Sequence, residues 1–375
     1  MKRNVNVLVI AGLAVLSTNA FASKARVQAL GQDGNRGSEY IADSRNVFRN
    51  PAALNETKNY LVTEWGTAVN SDANNAPRAE GGFFREMGAF NYGLYLGNDG
   101  SMNTTRVANG FLAQDNALDL FIAGDMGVKW GARLHYAGGK DEATTAGVNK
   151  KNTAYGIGLG VVAGAIEGYA NVDISDKSEG AAASGDEWKL KPSYLVGGSF
   201  TWTDYTFFAS YENTKAEQKL AAANTTAKTS AIVVGAGRTM EINPTARVFG
   251  DVKVSIASSE DTTGGAAAGK TKTNTLPVTF GMEADATSWL TLRGAVSQNV
   301  FLNETKDVNG KKKTNANQTF VNAGATLNFG KLKVDGLIGT SDAARNGTVS
   351  ANNGTNQGTL TTDNLLTKVA VSYWF

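Results

Sequence analysis

The residues of this chain that could carry out chemistry are a single histidine and two glycine-rich stretches. The 375-residue sequence contains one histidine, His135, and no cysteine, so it lacks the Cys/His ligands of a zinc site and any thiolate nucleophile. His135 lies an even number of residues from Lys129 and Arg133 in an alternating segment, that is, it has the same parity. The three side chains are therefore predicted to line one polar surface. We therefore expect no catalytic residue, no metal site and no enzymatic activity.

The two glycine-rich stretches resemble nucleotide-binding loops in their spacing. Residues 264–271 (GGAAAGKT) fit the phosphate-binding pattern, and residues 158–163 (GLGVVA) fit part of the dinucleotide fingerprint. Both patterns need a helix directly after the loop, because its N-terminal amides hold the phosphates. Here strands follow instead, and Gly158 and Gly160 have the inward parity of a strand, where small side chains would keep a lumen open. We expect neither stretch to bind a nucleotide, and no cofactor.

The charge balance argues against a nucleic-acid partner. Without Lys2 and Arg3, which belong to the leader, 34 basic residues are matched by 34 acidic ones. A surface that binds nucleic acid needs an excess of lysine and arginine to neutralise phosphates. No such excess exists here.

The first 22 residues have the pattern of a secretory signal peptide. Lys2 and Arg3 precede an apolar run from Val5 to Leu16, and Ala20-Phe21-Ala22 supplies the small residues of a cleavage site. The run is shorter than the roughly 20 residues that a helix needs to cross a bilayer, and no second run of that length follows. We predict a signal peptide over residues 1–22 and export through the Sec pathway; an uncleaved anchor helix is the alternative.

From about residue 59 onward, bulky apolar residues alternate with small or charged ones in segments of roughly 9 to 14 residues, which suits membrane-crossing strands. Val128 and Trp130, for example, point one way, whereas Lys129 and Gly131 point the other. This alternation fits a wall with lipid outside and water inside. We predict an all-β fold, a transmembrane antiparallel β-barrel over residues 59–375. The predicted strands are 59–69, 79–88, 90–98, 116–124, 128–138, 151–163, 165–175, 187–200, 203–214, 229–240, 245–258, 274–285, 288–301, 317–328, 331–340 and 363–375.

Connections between these strands alternate between short and long. Outer-membrane barrels have an even number of strands, short periplasmic turns and longer external loops. The pattern predicts about sixteen strands, or fourteen if Gly88–Ala89 does not separate two of them. Short connections are predicted at 125–127, 164, 241–244 and 329–330, and long loops at 139–150, 215–228, 259–273, 302–316 and 341–362.

The chain ends on an aromatic residue within an alternating strand. Leu365, Val369, Tyr373 and Phe375 share the parity of the lipid side. A terminal aromatic residue in this register resembles the signal that the barrel-assembly machinery recognises. We predict Phe375 as a C-terminal assembly signal.

Residues 23–58 do not alternate, yet they contain apolar residues such as Ile41, Val47, Phe48 and Leu54. This segment is either a disordered periplasmic tail or a plug that folds into the lumen, and its apolar content favours the plug. Pro51 fixes its own backbone angle and restricts the preceding residue, which predicts a rigid turn there.

A family resemblance rests on the same segment. Residues 41–54 (IADSRNVFRNPAAL) resemble the N-terminal hatch of the long-chain fatty-acid transporter family of outer-membrane barrels. The triplet Asn50-Pro51-Ala52 matches that family's signature, and the likeness extends loosely through residues 90–95 (FNYGLY). The resemblance implies a barrel with a hatch in its lumen and the transport of hydrophobic substrates. The rest of the chain resembles porin-like bacterial outer-membrane β-barrels in general.

Charged residues on the predicted inner face would keep the lumen hydrated, because an unpaired charge in an apolar interior is costly. Basic residues outnumber acidic ones among them, which would favour anions. The predicted lumen-lining residues are Lys129, Arg133, His135, Lys189, Lys191, Arg247, Asp251, Lys253, Glu283, Arg293, Lys333, Asp335 and Lys368.

Together these features predict an outer-membrane pore of a Gram-negative cell, through which small hydrophilic solutes diffuse. Two alternatives stay open. One is a transporter of hydrophobic substrates, as the resemblance implies, and the other is a structural or adhesive surface barrel. The expected partners are outer-membrane lipid, lipopolysaccharide, the barrel-assembly machinery and small solutes.

Overall fold

The computed structural model describes residues 23–66, 79–98, 106–107, 109–114, 116–142, 147–220, 224–263, 269–314, 319–341 and 366–375. The predicted signal peptide (1–22), most of the predicted loop 341–362 and residues 264–268 of the phosphate-loop pattern lie outside this part of the chain. No helix among the described residues is both long and apolar enough to cross a membrane.

Three short helices precede a series of strands. The helices are α1 (Lys24–Ala29) and the 3-10 turns η1 (Ser44–Phe48) and η2 (Pro51–Asn55). The strands are β1 (Tyr60–Trp65), β2 (Ala79–Met87), β3 (Phe90–Leu96), β4 (Ala117–Asp125), β5 (Lys129–Asp141), β6 (Lys150–Ala163), β7 (Ile166–Glu179), β8 (Glu187–Leu190), β9 (Ser193–Trp202), β10 (Tyr205–Lys219), β11 (Asn224–Asn243), β12 (Ala246–Thr263), β13 (Gly269–Thr287), β14 (Leu290–Lys306), β15 (Lys312–Thr314), β16 (Thr319–Phe329), β17 (Leu332–Ser341) and β18 (Leu366–Trp374).

The strands form one closed antiparallel barrel. Each strand pairs with its neighbours in the chain, and β1 pairs with β18 from Tyr60↔Trp374 to Trp65↔Val369, which closes the ring. The eighteen segments make sixteen barrel strands. β8 and β9 both lie between β7 and β10, and β15 and β16 both pair with β14. Closure leaves neither terminal strand of the described sheet without a partner, and an open sheet edge is costly in a bilayer.

The predicted strand number of sixteen is confirmed. The uncertain division at Gly88–Ala89 is a two-residue turn, because Met87 pairs directly with Phe90 and Gly88 has a φ of +62°. A positive φ suits glycine, which has no Cβ to clash there.

The predicted long loops at 215–228, 259–273 and 302–316 are wrong in part, because much of their length is strand. β10 to β14 have 15, 20, 18, 19 and 17 residues, whereas β1 and β3 have 6 and 7. The sequence prediction ended these strands where apolar alternation stopped. Hydrogen bonding between neighbouring strands continues beyond that point through threonine, serine and lysine, and the wall is therefore taller on this side.

The two faces of the wall differ in chemistry. Outward residues such as Leu134, Leu159, Val234 and Phe280 are large, apolar and more than half exposed, at 58, 54, 53 and 62%. Alternate residues on the same strands point inward and are mostly small, polar or charged. A closed barrel with an apolar outer wall and a polar interior is the architecture of an outer-membrane protein. The chain is such a barrel, with its place in the outer membrane.

Candidate functional site

The N-terminal segment (residues 23–58) folds through local caps. Ser23 Oγ accepts a hydrogen bond from Arg26 N at 3.0 Å at the start of α1, and Asp43 begins η1 in the same way. Asn50 precedes η2, and its Oδ1 accepts from Ala52 N at 3.1 Å, with Pro51 at the first position of the turn. Ser, Asp and Asn are favoured before a helix because their side-chain oxygens accept hydrogen bonds from free backbone amides. Proline is favoured at the first position because it has no N–H that needs a partner. The turn predicted at Asn50-Pro51-Ala52 is present.

The N-terminal segment contacts inward-facing residues on every side of the ring. Phe48 packs edge-on against Tyr95 of β3 and Phe121 of β4, with ring centroids 4.9 and 5.4 Å apart. On other sides, Leu30 and Ile41 pack against residues of β12 and β14, and α1 contacts β16, β17 and β18. The segment therefore contacts inward-facing residues of strands from β1 to β18.

Buried ion pairs fasten α1 to the wall. The Arg26 side chain is 1% exposed, and its Nη1 donates to Asp43 Oδ2 at 2.6 Å. Arg26 Nε also donates to Glu283 Oε2 of β13 at 3.3 Å. Glu283 accepts from Arg247 Nε at 3.0 Å and from Arg293 Nε at 2.8 Å as well. Buried charges persist only when they are paired and hydrogen-bonded, and here one carboxylate serves three guanidinium groups.

Glycines of the wall make room for the segment. A Cβ on Gly131 would collide with the backbone of Pro51 and Ala52, and one on Gly160 would overlap Asn50 Oδ1. The sequence predicted that inward glycines such as Gly160 keep the lumen open, and this was wrong. The space that they leave is filled by the N-terminal segment, a contact that strand parity alone does not reveal.

Most of the predicted lumen-lining residues lie on the inward face, and several of the basic ones pair with acids. Lys129 binds Glu56 of the N-terminal segment at 2.9 Å. Arg133 Nε and His135 Nδ1 both contact Asp119 Oδ1, at 2.7 and 2.8 Å. His135 is thus a partner within a charged cluster of the wall.

The remaining predicted residues on the inward side occupy β12, β13, β14, β17 and β18. Lys253 Nζ lies 3.2 Å from Asp251 Oδ1, and Arg293 Nη1 donates to Asp335 Oδ1 at 3.1 Å. Lys333 is 6% exposed, with Nζ 6.0 Å from the centre of the Trp374 ring. Lys368 pairs in register with the buried Leu337, so it also points inward. Arg247 and Glu283 belong to the ion-pair network described above.

The prediction that Lys189 and Lys191 line the lumen was wrong. Trp188 and Leu190 are buried on the inward side, and Lys189 is exposed on the outward side. Lys191 Nζ binds Glu217, the register partner of Lys189, at 2.8 Å. The parity changes because the strand is interrupted between β8 and β9 at Pro192, which has no N–H to donate to the ladder.

Acidic inward residues were missed. Glu64, Glu80, Asp119 and Glu212 lie on the inner wall. Glu64 accepts a hydrogen bond from the Lys24 backbone N–H, and the other three contact basic side chains of the N-terminal segment or of a neighbouring strand. Their parity in the alternating segments was the available signal. They remove the excess of basic residues that the sequence predicted for the lumen.

A cavity of about 240 Å³ lies between residues 32–40 of the N-terminal segment and the inner wall of β7 and β9 to β12. Tyr40 OH donates to Asp251 Oδ2 at 2.8 Å beside it. Burial, together with the Asp251 carboxylate, raises the pKa of Tyr40 well above its ordinary value, so the hydroxyl stays protonated and keeps donating. Charged side chains from both the segment and the wall border this space, namely Asp33, Arg36, Glu39, Arg49, Glu212 and Lys253.

No family model matches the chain, and no curated protein matches it. Among solved structures, it is similar to a FadL homologue of Pseudomonas aeruginosa, at 12% identity and a TM-score of 0.46, with 93% of this chain and 98% of that one covered. It is also similar to a porin refined at 1.8 Å, at 15% identity and a TM-score of 0.40, covering 85% and 99%. A third is the toluene transporter TbuX of Ralstonia pickettii, at 12% identity and a TM-score of 0.40, covering 95% and 98%. The barrel is therefore similar to porins and to FadL-type structures alike.

Proposed function

We propose that the chain is an outer-membrane pore through which small hydrophilic solutes diffuse. The observation that carries this proposal is the chemistry of the inner wall, where charged residues such as Arg133 of β5, Asp251 of β12 and Asp335 of β17 occur on separate strands. Charged groups need water or a partner, and a charged cavity next to the N-terminal segment supplies a place for water. A polar, wet interior suits hydrophilic solutes.

We also propose that the N-terminal segment partly plugs this pore. Planar-bilayer recording of the purified protein tests both statements. The wild type is expected to conduct, and a variant that lacks residues 24–45 is expected to have a larger single-channel conductance. A conducting wild type with an unchanged deletion variant would contradict the plug, and a wild type that never conducts would contradict the pore.

The alternative function is transport of hydrophobic substrates, and one feature favours it. Phe111, Trp188, Leu190 and Ala216 form an apolar cluster on the inward side, at the end of the barrel with the long connections. A lipid-like molecule that co-purifies with a non-conducting protein would support this alternative.

Export and assembly complete the proposal. Residues 1–22 would direct the chain through the Sec pathway, and the barrel-assembly machinery would insert it. The apolar outer wall would then contact lipid and lipopolysaccharide.

A further inference from the structure

The N-terminal segment fits the wall unevenly. Toward β5 and β6, Gly131 and Gly160 lie so close to Asn50 and Pro51 that a single Cβ would not fit. Toward β16, a Cβ on Gly324 would come within 2.6 Å of Ala29 Cβ. At these three positions the segment and the wall are in direct contact.

The side toward β9 to β12 also has a tight contact, because a Cβ on Gly237 would come within 2.4 Å of the Tyr40 ring, but an open space lies beside it. The cavity of about 240 Å³ lies there, bordered by small residues of the wall such as Ser210 and Ala231. A water needs roughly 10–15 Å³ of such space, so several waters fit in it. The cavity therefore holds several waters between the segment and the wall.

One ion pair joins the two sides of this cavity. Arg36 Nη1 and Nη2 donate to Glu212 Oε2 and Oε1 of β10, at 3.0 and 2.8 Å. The two side chains are 32 and 34% exposed. By contrast, the side chains of Arg26, Arg45 and Arg49, which also hold the segment, are 1, 1 and 5% exposed. A solvated pair is cheap to separate, whereas a buried pair is not.

The turn that contains Arg36 is stabilised by hydrogen bonds within the N-terminal segment. Asp33 Oδ1 accepts from Asn35 N at 2.8 Å, and Gly37 N donates to Asp33 O at 2.8 Å. Arg49 Nη1 reaches the carbonyl of Arg36 at 3.5 Å. The Arg36 side chain can therefore leave Glu212 while its backbone stays in place.

We infer that solutes pass through this cavity between residues 32–40 and β9 to β12, and that Arg36 and Glu212 form its constriction. This inference rests on the proposed pore function. Opposite charges on the two sides of the passage interact with both ends of a dipolar molecule. Small zwitterionic solutes, such as amino acids, are therefore the preferred class over ions of one sign.

Charge-neutralising variants test the constriction in planar bilayers. R36Q leaves Glu212 alone beside the passage and is expected to shift ion selectivity toward cations. E212Q leaves Arg36 and is expected to shift it toward anions. E217Q is the matched control, because Glu217 is 36% exposed but lies on the outward face. Shifts in the same direction, or none beyond that of E217Q, would overturn the inference.

The absence of native cysteine allows a test of the route itself. Ser210→Cys lies on the cavity, and Ala123→Cys lies on the tightly packed side, in the core around Phe48. A cationic methanethiosulfonate reagent is expected to reduce the conductance of S210C and to leave that of A123C unchanged. If S210C channels conduct and the reagent does not reduce their conductance, the proposed route is wrong but the pore function stands. If the wild type does not conduct, the proposed pore function itself is wrong.

Swelling of protein-containing liposomes tests the solute class. The ratio of the swelling rate in L-serine to that in uncharged erythritol, a molecule of similar size, is expected to fall in the double variant R36Q/E212Q. An unchanged ratio would contradict a preference for zwitterions.

Discussion

Arg26 of the N-terminal segment binds Glu283 of β13, although 257 residues separate them in the chain. Both side chains are almost fully buried, at 1 and 7% exposure. Because Glu283 also binds Arg247 of β12 and Arg293 of β14, this carboxylate links the segment to three neighbouring strands.

Replacing Glu283 with Gln is expected to destabilise the folded barrel by about 3–5 kcal/mol, because three guanidinium groups lose their shared carboxylate. The measurement is the temperature at which the heat-modifiable band on a denaturing gel changes its mobility. E304Q is the control, since Glu304 is a third exposed and pairs with the exposed Lys312. Equal transition temperatures for E283Q and E304Q would contradict this role of Glu283.

Gly131→Ala is expected to loosen the N-terminal segment. The added Cβ would collide with backbone atoms of Pro51 and Ala52, which cannot rotate away as a side chain would. Limited proteolysis of the folded protein should then cut within residues 23–58 faster than in the wild type. G336A is the matched control, because a Cβ on Gly336 meets nothing within 4 Å. If both variants are cut at the same rate, the close fit does not hold the segment.

Deletion of Phe375 is expected to lower the yield of folded protein in the outer membrane. Phe375 stacks on Phe83 with ring centroids 5.5 Å apart, and its N–H donates to the carbonyl of Asn59 at 3.1 Å. The deletion removes these contacts and the proposed assembly signal together. F375Y tests whether any aromatic residue is sufficient at this position or whether phenylalanine itself is needed. It should assemble as the wild type does. Normal yield of the deletion variant would exclude Phe375 as a signal.

The orientation of the barrel predicts which turns reach the cell surface. A protease site inserted at Gly310, in the tight connection between β14 and β15, should be cut on intact cells. A site at Gly330, in the short turn between β16 and β17, should be cut only after the outer membrane is ruptured. The reverse pattern would invert the assigned orientation.

The strands could be predicted from the sequence because alternation is a local property. Val128 and Trp130 point outward, and Gly131 and Arg133 point inward, without reference to any distant residue. The same reasoning failed at Lys189. Alternation predicts the face of a residue only while the strand is continuous, and the interruption at Pro192 exchanges the inward and outward positions between β8 and β9.

The lumen could be predicted only as a list of inward positions. Its pairings join residues far apart in the chain, such as Arg36 with Glu212, and depend on ring closure. The function of inward glycines was missed for the same reason, since the atoms that fill the space at Gly160 belong to residue 50. Local patterns establish which way a side chain points, and only the closed ring determines what it meets.

The pairing of the first and last parts of the chain has a consequence for the order of assembly. Ser23 is among the first residues of the N-terminal segment, yet its hydroxyl donates to Asp335, 312 residues later. The carboxylates of Glu283 and Asp335 that hold α1 lie on strands synthesised near the end. Such distant contacts form late, because bringing remote parts of a chain together costs conformational entropy. The segment can therefore meet the early strands first, through contacts such as those of Phe48 with Tyr95 and Phe121, whereas α1 gains Glu283 and Asp335 only when the last strands are in place.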